Sequence, residues 1–270
     1  MGLALSPDGR SLASTTAPGG LSFWDVRAGR RLGGVQTVHA AAWTLAFSGD
    51  GRWLAVGGAG SIAQLWDARR PRLAGSIERS VFDLSLTKDG ATLAATVRGD
   101  TFGGGLELYS VPDLQRIRSV RMPAGELGRF TQNGRSFVYG DLQGRVWILD
   151  TQTWKPRGRP LRVQGSVIAA DLSADGRRLA TTYGDGTARL WDAASGRPVG
   201  APLTSASGNI LSTAFVRGGS ELAVVTERGG YVWDVRPESW ERRACAVAGR
   251  RLTRAEWEAA LPGRDYAPAC

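Results

Sequence analysis

The apolar residues of this chain come in short runs separated by turn signals at a regular interval. Asp-Gly or Asn-Gly follows a Ser or Thr in Ser6-Pro7-Asp8-Gly9-Arg10, Ser48-Gly49-Asp50-Gly51-Arg52, Thr87-Lys88-Asp89-Gly90, Thr131-Gln132-Asn133-Gly134-Arg135 and Ser173-Ala174-Asp175-Gly176-Arg177. A worn sixth copy is Val216-Arg217-Gly218-Gly219. Such dipeptides between apolar runs favour the positive φ of a tight hairpin, so each predicts a strand on either side. Short apolar runs do follow: Leu12-Ala13, Leu54 to Val56, Leu93 to Ala95, Phe137-Val138, Leu179-Ala180 and Leu222 to Val225.

A second marker keeps the same interval. Trp-Asp recurs as Trp24-Asp25, Trp66-Asp67, Trp191-Asp192 and Trp233-Asp234, with Tyr109-Ser110 and Leu149-Asp150 as degenerate copies. The second residues of these pairs step by 40 to 43 positions. Each unit reads as four strands: one before the Asp-Gly turn, one after it, a third ending in the Trp-Asp pair, and a fourth beyond another turn. Unit five shows this in Val167 to Ser173, Arg177 to Thr182, Thr187 to Asp192 and Arg197 to Leu203. No stretch before residue 236 has helical periodicity.

The pattern changes at Arg236, dividing the chain into repeats over 1–235 and a tail over 236–270. Pro237-Glu238-Ser239-Trp240 predicts a helix start, with Trp240, Ala244, Val247 and Ala248 on one face. Thr253-Arg254-Ala255-Glu256 is a capping box that predicts a second helix carrying Trp257 and Leu261. Trp240, Leu252, Trp257 and Leu261 are too apolar for water, so the tail is expected to fold back on the repeats. Cys270 is then expected to return near Cys245 as a possible pair, thiols in a reducing compartment or a disulfide in an oxidising one.

Four short strands per unit, with Trp-Asp closing the third, resemble the WD40 repeat family of β-propellers. The resemblance covers residues 2–235 and implies an all-β propeller of six four-stranded blades, with the helical tail appended. Unit six ends at Val235 without a fourth strand, so its blade is expected to be incomplete. Leu3 already lies in an innermost strand, and seven blades is the commonest number in the family. The resemblance therefore implies part of a seven-bladed parent; a complete six-bladed ring closed by blade one on blade six is the alternative. The family's Gly-His pair and loop aspartates are mostly missing. His39 stands near the histidine position as a structural residue, and Asp100, Asp141 and Asp185 are the loop candidates. Blade stability is then expected to rest on apolar packing. From Cys245 onward the tail is similar to the end of WD40 regions in large bacterial multidomain proteins, where a signalling NTPase or kinase module precedes the propeller.

Composition narrows the chemistry. The 37 glycines in 270 residues suit a turn-rich all-β chain. The net charge is +9, and every basic residue except Lys88 and Lys155 is arginine. That bias points to a GC-rich genome more than to nucleic acid, which is the less favoured partner. A single histidine and two cysteines offer no metal site, no cofactor is implied, and no catalytic set can be assembled. Gly57-Gly58-Ala59-Gly60 and Gly103-Gly104-Gly105 lack the Lys-Ser/Thr of a phosphate loop. No 18-residue apolar run predicts a membrane helix.

The candidates for recognition are those the repeat leaves unexplained. Trp43 opens a first strand outside the Trp-Asp motif, and Phe102 sits in a loop. Arg10, Arg52, Arg135 and Arg177 each follow a hairpin turn, which in a propeller places them on one face; protection of strand edges is the competing role. The resulting expectation is a non-catalytic scaffold or sensor in a cytoplasmic signalling protein. It would bind other proteins or an upstream domain of its own parent chain, with no membrane partner. Nucleic acid or an acidic surface on the arginine face is the alternative.

Overall fold

The computed structural model describes residues 2–17, 19–38, 42–58, 60, 62–100, 103–131, 133–162, 167–248 and 253–260; His39, Phe102 and Cys270 lie outside them. Its strands form six antiparallel sheets, each sequential in the chain. Blade one is β1 (Leu3–Leu5), β2 (Ser11–Thr16), β3 (Gly20–Asp25) and β4 (Arg30–Thr37). Blade two is β5 (Ala42–Phe47), β6 (Trp53–Gly58), β7 (Ala63–Asp67) and β8 (Arg72–Ile77). Blade three is β9 (Val81–Leu86), β10 (Thr92–Asp100), β11 (Gly103–Ser110) and β12 (Arg116–Arg121). Blade four is β13 (Gly125–Phe130), β14 (Ser136–Asp141), β15 (Arg145–Asp150) and the short β16 (Leu161–Arg162). Blade five is β17 (Val167–Leu172), β18 (Arg178–Tyr183), β19 (Ala188–Asp192) and β20 (Pro198–Leu203). Blade six has three strands, β21 (Ile210–Val216), β22 (Glu221–Thr226) and β23 (Gly229–Asp234). The protein is thus an all-β six-bladed propeller, and among the described residues the sixth blade is one strand short, as expected.

The Asp-Gly turns work as the composition of each marker predicts. In blade one Ser6 Oγ donates to Asp8 Oδ1 at 2.6 Å, and the Arg10 N–H donates to the same oxygen at 3.0 Å. The Ser11 N–H returns to Ser6 Oγ at 2.9 Å. The same triangle is built by Ser48 and Asp50, Thr87 and Asp89, Thr131 and Asn133, and Ser173 and Asp175. Gly9, Gly51, Gly90, Gly134 and Gly176 all have φ between 69° and 73°, where a Cβ would be strained. The aspartates of the Trp-Asp pairs cap the turn to the fourth strand: Asp25 accepts from the Ala28 N–H, Asp67 from Arg69 and Arg70, and Asp192 from Ser195.

Packing between blades follows one rule. In strand register, a large apolar row crosses each blade: Leu5–Leu12–Trp24, Phe47–Leu54–Trp66, Leu86–Leu93–Tyr109, Phe130–Phe137–Leu149, Leu172–Leu179–Trp191 and Phe215–Leu222–Trp233. On the other face of blades one, two and five the neighbouring row is smaller: Ala4–Ala13–Phe23, Ala46–Ala55–Leu65 and Asp171–Ala180–Leu190. Five hydrophobic clusters seat the large row of blades two to six on the preceding blade. Among the described residues no such cluster joins blade six to blade one.

Apolar packing does not act alone, contrary to the expectation from the missing family residues. Each interface also carries a polar link. Thr15 Oγ1 donates to the Ala42 carbonyl, Thr44 Oγ1 to Asp83, and Asn133 Nδ2 to the Ala174 carbonyl. The Gly128 N–H reaches Asp83, and the Phe215 N–H reaches Asp171. The tail forms α1 (Pro237–Ala248) and α2 (Arg254–Ala260). Trp240 packs against the cluster between blades five and six, and its Nε1–H donates to the Asp234 carbonyl at 2.6 Å. Thr253 and Glu256 close the capping box on each other. The side chains of Leu252, Trp257 and Leu261, and the proposed Cys245–Cys270 pair, lie outside the described residues or depend on them.

Candidate recognition surfaces

Antiparallel order puts every first-to-second and third-to-fourth turn at one end of the propeller, and the other connections at the opposite end. Arg10, Arg52, Arg135 and Arg177 therefore share the turn end, and all four are exposed. Their backbone N–H groups hold the turns by donating to Asp8, Asp50, Asn133 and Asp175. The Arg52 guanidinium lies over the Trp53 ring, 4.7 Å from its centre. Asp8, Asp89 and Asp175 are held below the ordinary carboxylate range; a hydroxyl hydrogen bond is the main cause for Asp8 and Asp89, whereas at Asp175 burial pushes up and is overcome only by the Ser173 hydroxyl, the Arg177 N–H and the Arg177 and Arg178 charges together. This end thus interleaves arginines with aspartates that stay ionised.

The channel end has a different construction. Five innermost strands carry a β-bulge at the same place: the pairing of β5 with β6 skips Trp43, and those of β9, β13, β17 and β21 with their neighbours skip Phe82, Glu126, Ile168 and Leu211. A bulge leaves one residue unpaired and re-aims its side chain. Trp43, Glu126, Ile168 and Leu211 are exposed and Phe82 is half-buried. Trp43 Nε1–H donates to the Phe82 carbonyl at 3.3 Å, so the indole spans two blades.

Four of these residues, with Leu3, Thr44, Leu45, Asp83, Leu127, Arg129 and Val167, line a cavity of about 450 Å³. Its lining comes from β1, β5, β9, β13 and β17, which places it in the central channel. Its polar wall is preorganised. Asp83 is buried and accepts from Thr44 Oγ1 at 2.8 Å, the Leu84 N–H at 3.0 Å and the Gly128 N–H at 3.2 Å, with Arg129 Nε 3.6 Å away. Glycine at 128 permits that approach, because a Cβ there would collide with Thr96 Oγ1 and the Phe137 ring. Two blades on from Asp83 and outside the cavity lining, burial raises the Asp171 carboxyl above its usual range, against the pull of the Phe215 and Leu172 N–H groups and of Arg129. The cavity therefore combines apolar walls with an acidic and a basic group fixed on neighbouring blades.

The structure brings Trp43 to this cavity and leaves the four arginines at the far end; Phe102 lies outside the described residues. Phe82, Glu126, Ile168 and Leu211 were not singled out from sequence. All five bulge residues stand five positions before the turn-marker position of their unit, namely Ser48, Thr87, Thr131, Ser173 and Val216. Aligning the units on the turn therefore identifies the column.

The motif tryptophans are structural. Trp66 and Trp191 are buried between blades, while Trp24 and Trp233 are half-buried. Tyr109 takes the tryptophan's place in blade three. Its hydroxyl donates to Glu107, which is also held by Arg79 at 2.9 Å and Arg116 at 3.0 Å. Burial, then the hydrogen bond to Glu107, pushes the Tyr109 pKa up to about 12. Its proton is held in a network, as befits a structural role.

A family model described as "WD domain, G-beta repeat" matches residues 32–67 and 158–192. Two stretches of the propeller are thus WD40-like. Each WD40 match begins in or just before the outer strand of one blade, and ends at the Trp-Asp pair of the next. The repeat as a sequence unit is therefore offset by one strand from the blade as a structural unit. A search of curated proteins finds no match. Among solved structures the chain is similar to Kuenenia stuttgartiensis Hydrazine Synthase. The identity is 17%, the TM-score is 0.72, and the match covers 95% of this chain and 80% of that one. At that identity the likeness is one of fold, and it carries no activity to this chain. Among the described residues no helix is long and apolar enough to cross a membrane.

Proposed function

We propose that this propeller is a non-catalytic protein-interaction module that seats a bulky apolar side chain of its partner in the channel mouth. WD40 propellers commonly mediate protein interaction. The observation that carries the finer reading is the repeated bulge, which turns Trp43, Phe82 and Ile168 toward one cavity instead of into the interblade core. Aromatic residues at the centre of a recessed surface are the usual anchors of binding energy. Asp83 is already paired with Arg129, so the exposed Glu126 at the rim is the group that favours a basic residue flanking the apolar anchor. The partner is another protein or another region of a larger signalling polypeptide.

A phage-displayed peptide library selected on the wild-type propeller tests this. Enriched peptides are expected to share a bulky apolar residue next to Lys or Arg, and to lose about tenfold or more in affinity for Trp43→Ala or Ile168→Asp. Binding should survive Arg10→Glu and Arg177→Glu. Peptides indifferent to the channel variants, acidic in composition and released steeply by salt would overturn the reading in favour of an acidic partner at the turn end.

A further inference from the structure

We propose that the rear of blade one and the front of blade six form a single docking site for one further four-stranded antiparallel sheet of the blade type. The five interblade clusters define what such a face needs: a large apolar row of one blade set on the smaller row of the blade before it. Blade one presents an unmatched large row. Leu5 is 56% exposed and Leu12 and Trp24 are half-buried, whereas Leu54, Leu93, Phe137, Leu179 and Leu222, the counterparts of Leu12, are buried. Blade six presents an unmatched small row, Ala214–Ala223–Val232, with Val232 52% and neighbouring Val225 50% exposed. Phe23, Leu65, Leu108, Ile148 and Leu190, the counterparts of Val232, are all buried. A third feature adjoins them: among the described residues β23 ends its sheet, whereas the third strand of every other blade is paired on both sides.

One sheet with a small row on one face and a large row on the other satisfies both surfaces together, and each of the five existing interfaces is a template for the contact. A second copy of this chain fits less well. Its blade six could meet blade one of the first copy, but the opposite pair of faces would stay open. Such a head-to-tail contact propagates unless the rotation closes it. Direct contact between blades six and one would bury the rows that the structure leaves exposed.

The test begins with the intact chain. Leu5→Asp and Val232→Asp, singly and together, are expected to leave it monomeric by sedimentation and to keep its melting midpoint. Fluorescence of the apolar dye ANS should fall about twofold or more. A drop of several degrees in midpoint for either variant would mean that the faces already close on each other, and overturns the proposal. A wild-type dimer or larger assembly that Leu5→Asp dissociates overturns it in favour of a second copy. The positive arm duplicates residues 167–209, blade five with its following loop, ahead of Met1. The added sheet should become protease-resistant, quench dye binding and shift Trp24 emission to the blue, and Leu179→Asp in the added copy should abolish all three. An added sheet that stays protease-sensitive on an otherwise folded protein overturns the proposal.

Discussion

At the turn end of the propeller, Ser6, Ser48, Thr87, Thr131 and Ser173 perform one task five times, with the same hydrogen bonds and nearly the same glycine φ. At the channel end, Trp43, Phe82, Glu126, Ile168 and Leu211 occupy one backbone position with five different side chains. Each position recurs five times, the turn in blades one to five and the bulge in blades two to six, so regularity does not separate them. Demand on the side chain does. A turn that needs a hydroxyl and the side-chain oxygen of Asp or Asn admits few residues, whereas a bulged residue facing a channel need not fit the interblade core. Variation of a repeated position is therefore where this fold has room for recognition.

The largest contrast is expected between two tryptophans. Trp191→Ala removes a ring buried between blades four and five and should cost about 3–5 kcal/mol in denaturant unfolding. Trp43→Ala, at the channel mouth, should cost about 0.5 kcal/mol while weakening peptide binding. Equal losses for the two would break the distinction between structural and recognition positions.

A smaller effect sharpens the account of the repeat itself. Trp24 Nε1–H donates to Ser14 and Trp191 Nε1–H to Thr181, each on the adjacent strand. In blade two the same place is Val56, and the Trp66 Nε1–H is buried with no partner among the described residues. Val56→Thr, almost equal in volume, supplies the missing acceptor. It should stabilise the protein by about 0.5–1.5 kcal/mol, whereas Val56→Ala should destabilise it. A destabilising Thr would show that the hydroxyl cannot reach the indole.

The smallest effects are in pH dependence, and they run in opposite directions for the turn aspartates and for Asp171 in the innermost strand of blade five. Asp8, Asp89 and Asp175 have lowered folded pKa values, so their contribution is present above the unfolded carboxylate range and is lost as pH falls through the folded values. Asp171 has a raised folded pKa, so its contribution is present at acid pH and is lost as pH rises through that value. Asp171→Asn should therefore raise the melting midpoint near neutrality relative to wild type, and Asp8→Asn should lower it. The signs, read from melting curves across acid to neutral pH, are the test.

The blades were legible because their signals are chemical: Asp-Gly forces a turn, and Trp-Asp joins a packing ring to a turn-capping carboxylate. Trp43 stood out because a large aromatic lay outside that scheme. Phe82, Ile168 and Leu211 did not, since an apolar residue in a strand reads as core until the register is known. A bulge is a property of pairing, and nothing in Glu126 or its neighbours marks an extra residue. The polar links between blades were hidden for a similar reason. Asp83 and Gly128 are 45 positions apart and meet only because adjacent innermost strands run side by side.

The chain of five interfaces also bears on how the protein comes apart. In a closed ring every blade has two neighbours, and losing one breaks two contacts at once. Here, among the described residues, hydrophobic clusters join the blades in a line with two terminal members, each seated on one side, and stability approximates a sum over neighbouring units. Opening can begin at blade one or at the three-stranded blade six while the middle blades persist. Amide exchange should be slowest in blades three and four and graded toward both ends, so no single free energy describes the unfolding of the whole chain.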